Sequence, residues 1–147
     1  NEKRRVGLLD LNRNSLDSAA LRIQRFLPET YQANVLEELQ LTCDKFDSIS
    51  INYLLHCMPG SLKDKAILFT NLKHYLKPQG ILFGSTILSS GASRGFFARQ
   101  LMSLYNKKGI FGNSLDSLTD LETILGENFS EVDIRTEGCV AIFSAKH

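Results

Sequence analysis

Short apolar runs alternate with segments of helical periodicity along the 147-residue chain. Arg5–Leu11 is an apolar run with the acidic residue Asp10 near its end, which is typical of a buried parallel strand. Asn14 and Asp17 form a capping pair, and the apolar residues after them recur at helical spacing until Pro28. The chain therefore predicts a strand followed by a helix.

Three further strands and one helix are predicted in the middle of the chain. The strands are Tyr31–Leu36, Phe46–Tyr53 and Ile81–Leu88. A helix that starts at the capping pair of Ser61 and Asp64 ends at a Lys-Pro-Gln-Gly turn, residues 77–80.

Two more helices and a hairpin are predicted after residue 88. Small residues lead into a helix that carries Phe97 and is closed by Gly109, and Ser117 caps a last helix that Gly126 ends. Apolar residues between Val132 and Ile142 then lie on both sides of a Glu-Gly turn. The order of elements indicates one alternating α/β unit with an antiparallel end.

The connection between the strands at Tyr31 and Phe46 is short. It has about ten residues and no evident helix, whereas a crossover between parallel neighbours usually takes a dozen or more. We therefore expect that these two strands are not neighbours and that the connection crosses the point where strand order reverses. Ligands of open α/β sheets bind at that point, at the carboxyl ends of the strands.

Composition and charge exclude several classes of protein. Apolar residues make up 43% of the chain, and 17 basic residues against 16 acidic ones give a net charge of +1. We therefore expect no nucleic-acid partner and no membrane partner. The three cysteines are too few for a disulfide framework or a CxxC metal site, so we expect no bound metal and a cytoplasmic location.

Polar residues at the end of the first strand are candidates for ligand binding. Asp10 closes that strand just before a helix, where a carboxylate can accept hydrogen bonds from both hydroxyls of a ribose. Asn12 is a second candidate. The alternative for Asp10 is a residue that caps the helix or forms a salt bridge.

The segment that follows the Phe46–Tyr53 strand offers a second set of candidates. Asn52 can present its amide or its backbone carbonyl to a ligand, and His56 is a candidate for accepting a proton near neutral pH. The alternative for His56 is a structural histidine bonded to a backbone group. Cys57 has no adjacent base in the sequence and is not expected to be a nucleophile.

A third set follows the strand that ends at Leu88. Arg94, Phe96 and Phe97 come after a run of small residues, and adjacent aromatic side chains are suited to line a substrate pocket. The alternative is that the two phenylalanines belong to the core or to an interface.

Four segments together resemble a known family. Val6–Asn12, then Phe46–Ile49 with Leu55–Gly60, then Leu76–Phe83 are in this order similar to successive motifs of class I S-adenosylmethionine-dependent methyltransferases that act on small molecules. The fourth segment, Leu101–Gly112, resembles one subgroup of bacterial and fungal enzymes in particular. The resemblance implies a Rossmann-like sheet, mostly parallel, with an antiparallel hairpin at the carboxyl end. It also implies S-adenosylmethionine as the cofactor and a small-molecule acceptor.

The resemblance assigns roles by position. Asp10 matches the acid that binds the ribose hydroxyls, Asn34 stands where the family usually has an aspartate that contacts adenine, and Asn52 matches the loop beside the methionine portion. The implied cofactor-binding residues are Asp10, Leu11, Asn12, Asn34, Val35, Asn52 and Tyr53. Arg94, Phe96 and Phe97 are assigned to the acceptor, and His56 is the candidate general base.

One element of the family is absent from the sequence. In the family a glycine-rich loop follows the first strand, and the strand that ends at Asp10 is the second, but only nine residues precede Asp10 here. The absent strand would fill the gap inferred from the short connection, and without it the neighbouring strands would have bare edges. We therefore expect this chain to be the carboxyl-terminal part of a longer polypeptide and its domain to be a partial methyltransferase domain.

Three functions follow from these observations. The first is methyl transfer from S-adenosylmethionine to an oxygen, nitrogen or sulfur atom of a small molecule. The second is a methyltransferase-like domain without catalysis that serves in docking or regulation. The third is a nicotinamide-dependent oxidoreductase, because an acid that ends the second strand also binds ribose in that class.

Overall fold

The computed structural model describes residues 5–90, 112 and 115–146. The chain divides into two compact units, Asn1–Cys43 and Asp44–His147. Within the described ranges, no helix is long and apolar enough to cross a membrane. The same ranges contain no group of three or more His, Cys, Asp or Glu side chains that could hold a metal ion. The predicted helix with Phe97 and Gly109 lies outside the described residues.

The first unit is a strand–helix–strand motif. It consists of β1 (Gly7–Asp10), α1 (Arg13–Arg22), a 3₁₀ turn (Gln24–Phe26) and β2 (Glu29–Gln32). β1 and β2 pair in parallel, with Gly7 opposite Glu29.

Several predicted boundaries in this unit are wrong. The helix does not continue to Pro28, because α1 ends at Arg22 and a separate 3₁₀ turn is followed by Leu27 in the left-handed region, with a φ of 50°. The N-cap of α1 is Asn12 instead of Asn14, because the Asn12 side chain accepts the amide hydrogens of Asn14 and Ser15. β2 ends at Gln32 and does not reach Leu36, because Asn34 forms a turn in which its side-chain oxygen accepts the Leu36 N–H at 3.1 Å.

The second unit is a four-stranded sheet with helices. Its elements are β3 (Phe46–Asn52), a 3₁₀ turn (Leu55–Cys57), α2 (Leu62–Lys65), α3 (Ile67–Lys73), β4 (Leu76–Ile87), α4 (Leu118–Asn128), β5 (Glu131–Glu137) and β6 (Val140–Lys146). The strand order is β3-β4-β6-β5, with β3 and β4 parallel and the other two pairs antiparallel. The predicted α/β class and the terminal hairpin are confirmed.

The strands on either side of the short connection do not pair. β2 pairs with β1, and β3 pairs with β4 in the other sheet. This confirms that β2 and β3 are not neighbours. In the described part of the chain, β1 and β3 each have a second edge that no other strand covers. The upstream strand that the sequence suggests for these edges stays a prediction.

Several more boundaries differ from the prediction. The single helix predicted between Ser61 and residue 77 is two helices, α2 and α3, separated at Ala66, whose N–H bonds to the Lys63 carbonyl three residues back. The expected turn at residues 77–80 is part of β4, which accommodates it through a register shift against Phe46–Ser48 and a positive φ of 64° at Gln79. α4 continues past Gly126 to Asn128. The reason is that the next residue, Phe129, is buried and donates its N–H to the Leu125 carbonyl.

The core of the second unit joins its helices to its sheet. Phe69 of α3 meets Phe143 of β6 edge to face, with ring centroids 6.4 Å apart, and both side chains are buried. β3 and β4 approach closely at Gly84, where a Cβ would lie 2.4 Å from the Ile51 carbonyl oxygen. Tight packing here fixes how the ends of β3 and β4 are placed.

Candidate functional site

The carboxyl end of β1 presents a carboxylate and an apolar side chain. Asp10 is exposed, and its Oδ1 accepts the Asn12 N–H at 2.7 Å. Its second oxygen accepts no hydrogen bond within the described residues, and the carboxylate neither caps α1 nor forms a salt bridge there. Leu11, the next residue, is 63% exposed. This end of β1 can therefore accept a hydrogen bond from a hydroxyl group through Asp10 and can contact the flat face of a ring through Leu11.

The two asparagines of the first unit already have local roles. Asn12 uses its side-chain oxygen to cap α1. Asn34 accepts the Leu36 N–H through Oδ1 and donates through Nδ2 to Glu37 Oε1 at 2.8 Å. A carbonyl oxygen has two lone pairs, so Asn34 retains the capacity to accept one more hydrogen bond. Val35 beside it is half-buried.

The carboxyl end of β3 is strained and exposed. Tyr53 has a φ of 55°, in the left-handed region, and is 53% exposed. A non-glycine residue in this region costs about 1–2 kcal/mol, and such strain is typical of functional sites. Asn52 before it donates to Ser50 Oγ at 2.7 Å and accepts from Ser85 Oγ at 3.0 Å.

Ser85 is a residue of this site that sequence analysis missed. It lies opposite Asn52 in the β3–β4 register, donates its hydroxyl to Asn52, and accepts the Tyr53 N–H through its carbonyl at 2.8 Å. A serine in a strand carries no sequence signal for such a role. Only the register of the parallel pair reveals it.

His56 is buried and holds the end of β4. It is 3% exposed, and its Nδ1 accepts the Ile87 N–H at 3.3 Å and lies 3.5 Å from Thr86 Oγ1. Because the amide must donate, the neutral ring carries its proton on Nε2. Burial, together with the positive charge of Lys65, lowers the pKa of His56 below its usual value. This geometry matches the structural alternative, in which the histidine binds a backbone group.

The His56 ring also contacts Tyr53. The two rings meet edge to face with centroids 5.6 Å apart and an interplanar angle of 86°. His56 therefore joins the strained end of β3 to the end of β4. Cys57 beside it is exposed. The predicted acceptor residues Arg94, Phe96 and Phe97 lie outside the described residues.

A buried ion pair is connected through Gly112 to the 3₁₀ turn (Leu55–Cys57) that contains His56. Lys65 Nζ and Asp116 Oδ2 are 2.9 Å apart, and both side chains are 0% exposed. Burial raises the pKa of Asp116, and Lys65 offsets part of this effect. Sequence analysis missed the pair, although Lys65 lies three residues after Leu62 and four before Phe69, on the apolar face of the single helix that the sequence predicts there.

Comparison with known proteins supports a common origin with methyltransferases. Residues 2–84 match a family model described as a methyltransferase domain. The chain is 40% identical over 141 residues to demethylluteothin O-methyltransferase of Streptomyces thioluteus, covering 96% of this chain and 61% of that protein. It is 42% identical over 142 residues to the N-methyltransferase vrtF of Penicillium aethiopicum, covering 96% of this chain and 59% of that protein.

A solved structure shows the same fold. The N-methyltransferase NodS of Bradyrhizobium japonicum, in complex with S-adenosyl-L-homocysteine, aligns with a TM-score of 0.62 at 17% identity, over 97% of this chain and 66% of NodS. This chain spans about 60% of the length of the two curated relatives above. The matched model covers more than half of the chain. The chain therefore belongs to the methyltransferase-domain family.

Proposed function

We propose that the protein transfers the methyl group of S-adenosylmethionine to an oxygen, nitrogen or sulfur atom of a small molecule. The observation that carries the proposal is the exposed carboxylate of Asp10, whose second oxygen has no partner within the described residues. Relatives named as O- and N-methyltransferases support oxygen and nitrogen as the accepting atoms.

The residues present fit parts of this cofactor. The free Asp10 oxygen suits a ribose hydroxyl, and the exposed Leu11 suits the face of an adenine ring. Asn34 retains one acceptor lone pair for the adenine amino group. Asn52 and Tyr53 are assigned to the methionine portion, where their exposed side chains and the hydrogen bonds that Ser85 makes to both residues suit a ligand.

The chemistry follows from the cofactor. When bound, the cofactor supplies an activated methyl group, so the protein contributes mainly by binding and orienting the reactants. In the described arrangement Nδ1 of His56 already accepts a hydrogen bond from Ile87. We therefore propose that His56 positions Tyr53 and the end of β4, in place of the general-base role that the sequence suggested.

A binding titration tests the proposal. S-adenosyl-L-homocysteine is titrated by calorimetry into the complete gene product, whose intact mass also tests the expected upstream segment. We expect one-to-one binding that Asp10→Asn weakens by about tenfold or more, since hydrogen bonds to charged groups contribute about 1.5–3 kcal/mol. The control is Asp17→Asn, an exposed carboxylate on α1 paired with Arg13, which should bind like the parent.

Turnover is measured in the same preparations as formation of S-adenosyl-L-homocysteine. Three probe acceptors represent the three candidate atoms: 2-naphthol, benzylamine and thiophenol. Absence of cofactor binding by the complete protein would support the docking or regulatory alternative. Binding of NAD instead would support the oxidoreductase alternative.

A further inference from the structure

β5 (Glu131–Glu137) lies at one edge of the sheet of the second unit. It pairs with β6 on one side, and no described strand pairs with its other side. Six of its seven residues are exposed, and Ile134 is half-buried. An exposed strand edge presents unpaired N–H and C=O groups, which a strand of another chain can bind.

The side chains of β5 form a charged face and a mostly apolar face. Because side chains alternate across a strand, the odd-numbered residues share one face of the sheet and the even-numbered residues share the other. Ile134 lies opposite the buried Phe143 of β6, on the apolar face. Val132 is on the same face, yet it is 37% exposed. The apolar face therefore remains partly exposed at the edge of the sheet.

The charges at the centre of β5 are arranged for pairing with an identical strand. Asp133 and Arg135 lie on either side of Ile134 in the chain, and neither forms an ion pair within the described residues. Their neighbours on β6, Ser144 and Ile142, carry no charge. If a second β5 runs antiparallel with the two copies of Ile134 opposite each other, Asp133 of each chain lies opposite Arg135 of the other. Two stabilising pairs of opposite charge then form across the strands.

Only one register gives this match. A shift by one residue places charged residues opposite apolar ones. A shift by two residues places Asp133 opposite Asp133 of the other copy, or Arg135 opposite Arg135, and like charges in direct opposition are destabilising. The matching register also places Glu131 opposite Glu137 at the two ends of the strand pair. There Lys146 Nζ lies 2.8 Å from Glu131 Oε2, so the charge of Glu131 is balanced within its own chain.

We propose that β5 is an interface between two copies of this chain, whose edge strands pair antiparallel about Ile134 and join the two sheets. The partner is a second copy because the strand is complementary to itself in charge and in its apolar face, as a two-fold interface requires. Pairing adds main-chain hydrogen bonds between the chains and covers Val132. None of the residues assigned to the cofactor lies on β5, so the interface is independent of the proposed function.

Sedimentation equilibrium of the complete gene product tests the interface. One pair of seven-residue strands is a small interface, so we expect a Kd for dimerisation on the order of 10–100 µM. Protein concentrations of about 5–500 µM bracket this value. In the same range, amide hydrogen exchange of β5 in the parent should slow as the concentration rises, while exchange in β3 should stay constant.

Charge exchange within β5 tests the register. Asp133→Arg and Arg135→Asp each bring like charges into opposition, so each should raise the Kd by about tenfold or more. The double variant Asp133→Arg/Arg135→Asp restores opposite charges and should return the Kd to within about threefold of the parent. A mixture of the two single variants should form heterodimers, because positions 133 and 135 are then basic in one chain and acidic in the other.

The matched controls change the net charge by the same amounts at another exposed Asp–Arg pair. Asp17→Arg and Arg13→Asp on α1 should each keep the parental Kd. Far-ultraviolet circular dichroism checks that every variant has the parental fold, and the exchange measurement on the parent requires no variant.

Three results would overturn the proposal. A parent that stays monomeric over the whole range would mean that the charges of β5 protect the edge from association. A dimer whose Kd is the same in both single variants would place the interface elsewhere. Failure of both the double variant and the mixture to restore association would show that Asp133 and Arg135 do not face each other.

Discussion

Ser85 on β4 holds Asn52 at the end of β3 through a hydrogen bond of 3.0 Å from its hydroxyl to Asn52 Oδ1. Its carbonyl also accepts the Tyr53 N–H at 2.8 Å. One residue of the neighbouring strand therefore fixes both residues that are proposed to contact the methionine portion of the cofactor. Ser85 is itself buried, so water does not replace these bonds easily.

Removing the Ser85 hydroxyl should loosen Asn52. We expect Ser85→Ala to weaken binding of S-adenosyl-L-homocysteine by about fivefold, equivalent to about 1 kcal/mol for one hydrogen bond. Titration calorimetry measures this change. Ser48→Ala on β3, an exposed serine in the same sheet, is the control and should bind like the parent. Equal affinities of the Ser85→Ala variant and the parent would contradict the proposed role.

The left-handed backbone of Tyr53 predicts how substitutions rank in stability. Both substitutions remove the ring contact with His56, but glycine adopts a positive φ at almost no cost, whereas alanine retains the strain. We therefore expect Tyr53→Gly to have a free energy of unfolding about 1 kcal/mol higher than Tyr53→Ala. Urea denaturation measures the difference. Both variants should bind S-adenosyl-L-homocysteine more weakly than the parent, and an alanine variant as stable as the glycine variant would argue against strain.

The sequence predicted the elements better than it predicted their ends. The strand at Phe46 and the hairpin between Val132 and Ile142 were predictable because apolar alternation and turn residues agreed. The cap of α1 was misplaced because two asparagines, Asn12 and Asn14, both suit a cap, and only the hydrogen bonds distinguish them.

Residues of the candidate site were predictable from the sequence only where a polar side chain lies at the end of a predicted strand. Asp10 and Asn52 could be found in this way. Ser85 and Asp116 could not, because their roles come from strand register and from a contact between residues 51 positions apart in the chain. For His56, the sequence left both a base and a structural histidine open, and its backbone hydrogen bond became visible only in three dimensions.

Two substitutions can distinguish a positioning role of His56 from a role in proton transfer. Asparagine can offer a side-chain oxygen where Nδ1 of His56 accepts the Ile87 N–H, but it cannot take up a proton near neutral pH. If His56 positions its neighbours, we expect His56→Asn to retain kcat within about threefold, whereas His56→Ala loses about tenfold or more. Steady-state kinetics with the best probe acceptor distinguishes the two. A loss of similar size in both variants would restore the general-base hypothesis.

The lowered pKa of His56 also predicts a pH dependence of stability. Since the folded-state pKa lies below the ordinary value of 6.5, the unfolded chain binds the proton first as the pH falls. The contribution of neutral His56 to stability is complete above pH 6.5 and is lost as the pH falls from there toward the folded-state pKa. The raised pKa of Asp116 acts in the opposite direction, so the comparison between variants is the informative one.

We therefore expect the free energy of unfolding of the parent to fall between about pH 7.5 and 5.5 more steeply than that of His56→Asn. Urea denaturation at three pH values across this range gives the two slopes. Asp116 is present in both proteins and cancels from their difference. Parallel slopes would mean that His56 titrates normally in the folded protein, in conflict with its burial.

Alanine substitutions of two glycines in the second unit should change the stability of the protein in opposite directions. At Gly126 in α4 an added Cβ meets nothing within 4 Å, so Gly126→Ala should stabilise the protein by about 0.5–1 kcal/mol through helix propensity. At Gly112 an added Cβ would lie 2.1 Å from the Met58 carbonyl oxygen. Gly112→Ala must therefore push the backbone at residue 112 away from Met58, at a cost of about 1–3 kcal/mol.

Thermal and urea unfolding of both variants show directly whether each substitution raises or lowers the free energy of unfolding. Lys65 bonds both the Gly112 carbonyl and the Asp116 carboxylate, and the Asp116 carbonyl accepts the Ser89 and Ser90 N–H groups. A shift of Gly112 should therefore also increase amide hydrogen exchange at Ser89 and Ser90, whereas Gly126→Ala should leave those amides unchanged. A Gly112→Ala protein with parental stability would mean that the contact with Met58 yields without cost. The turn after Tyr53 and the end of the β4–α4 connection would then be independent of each other, which the Gly112–His56 hydrogen bond argues against.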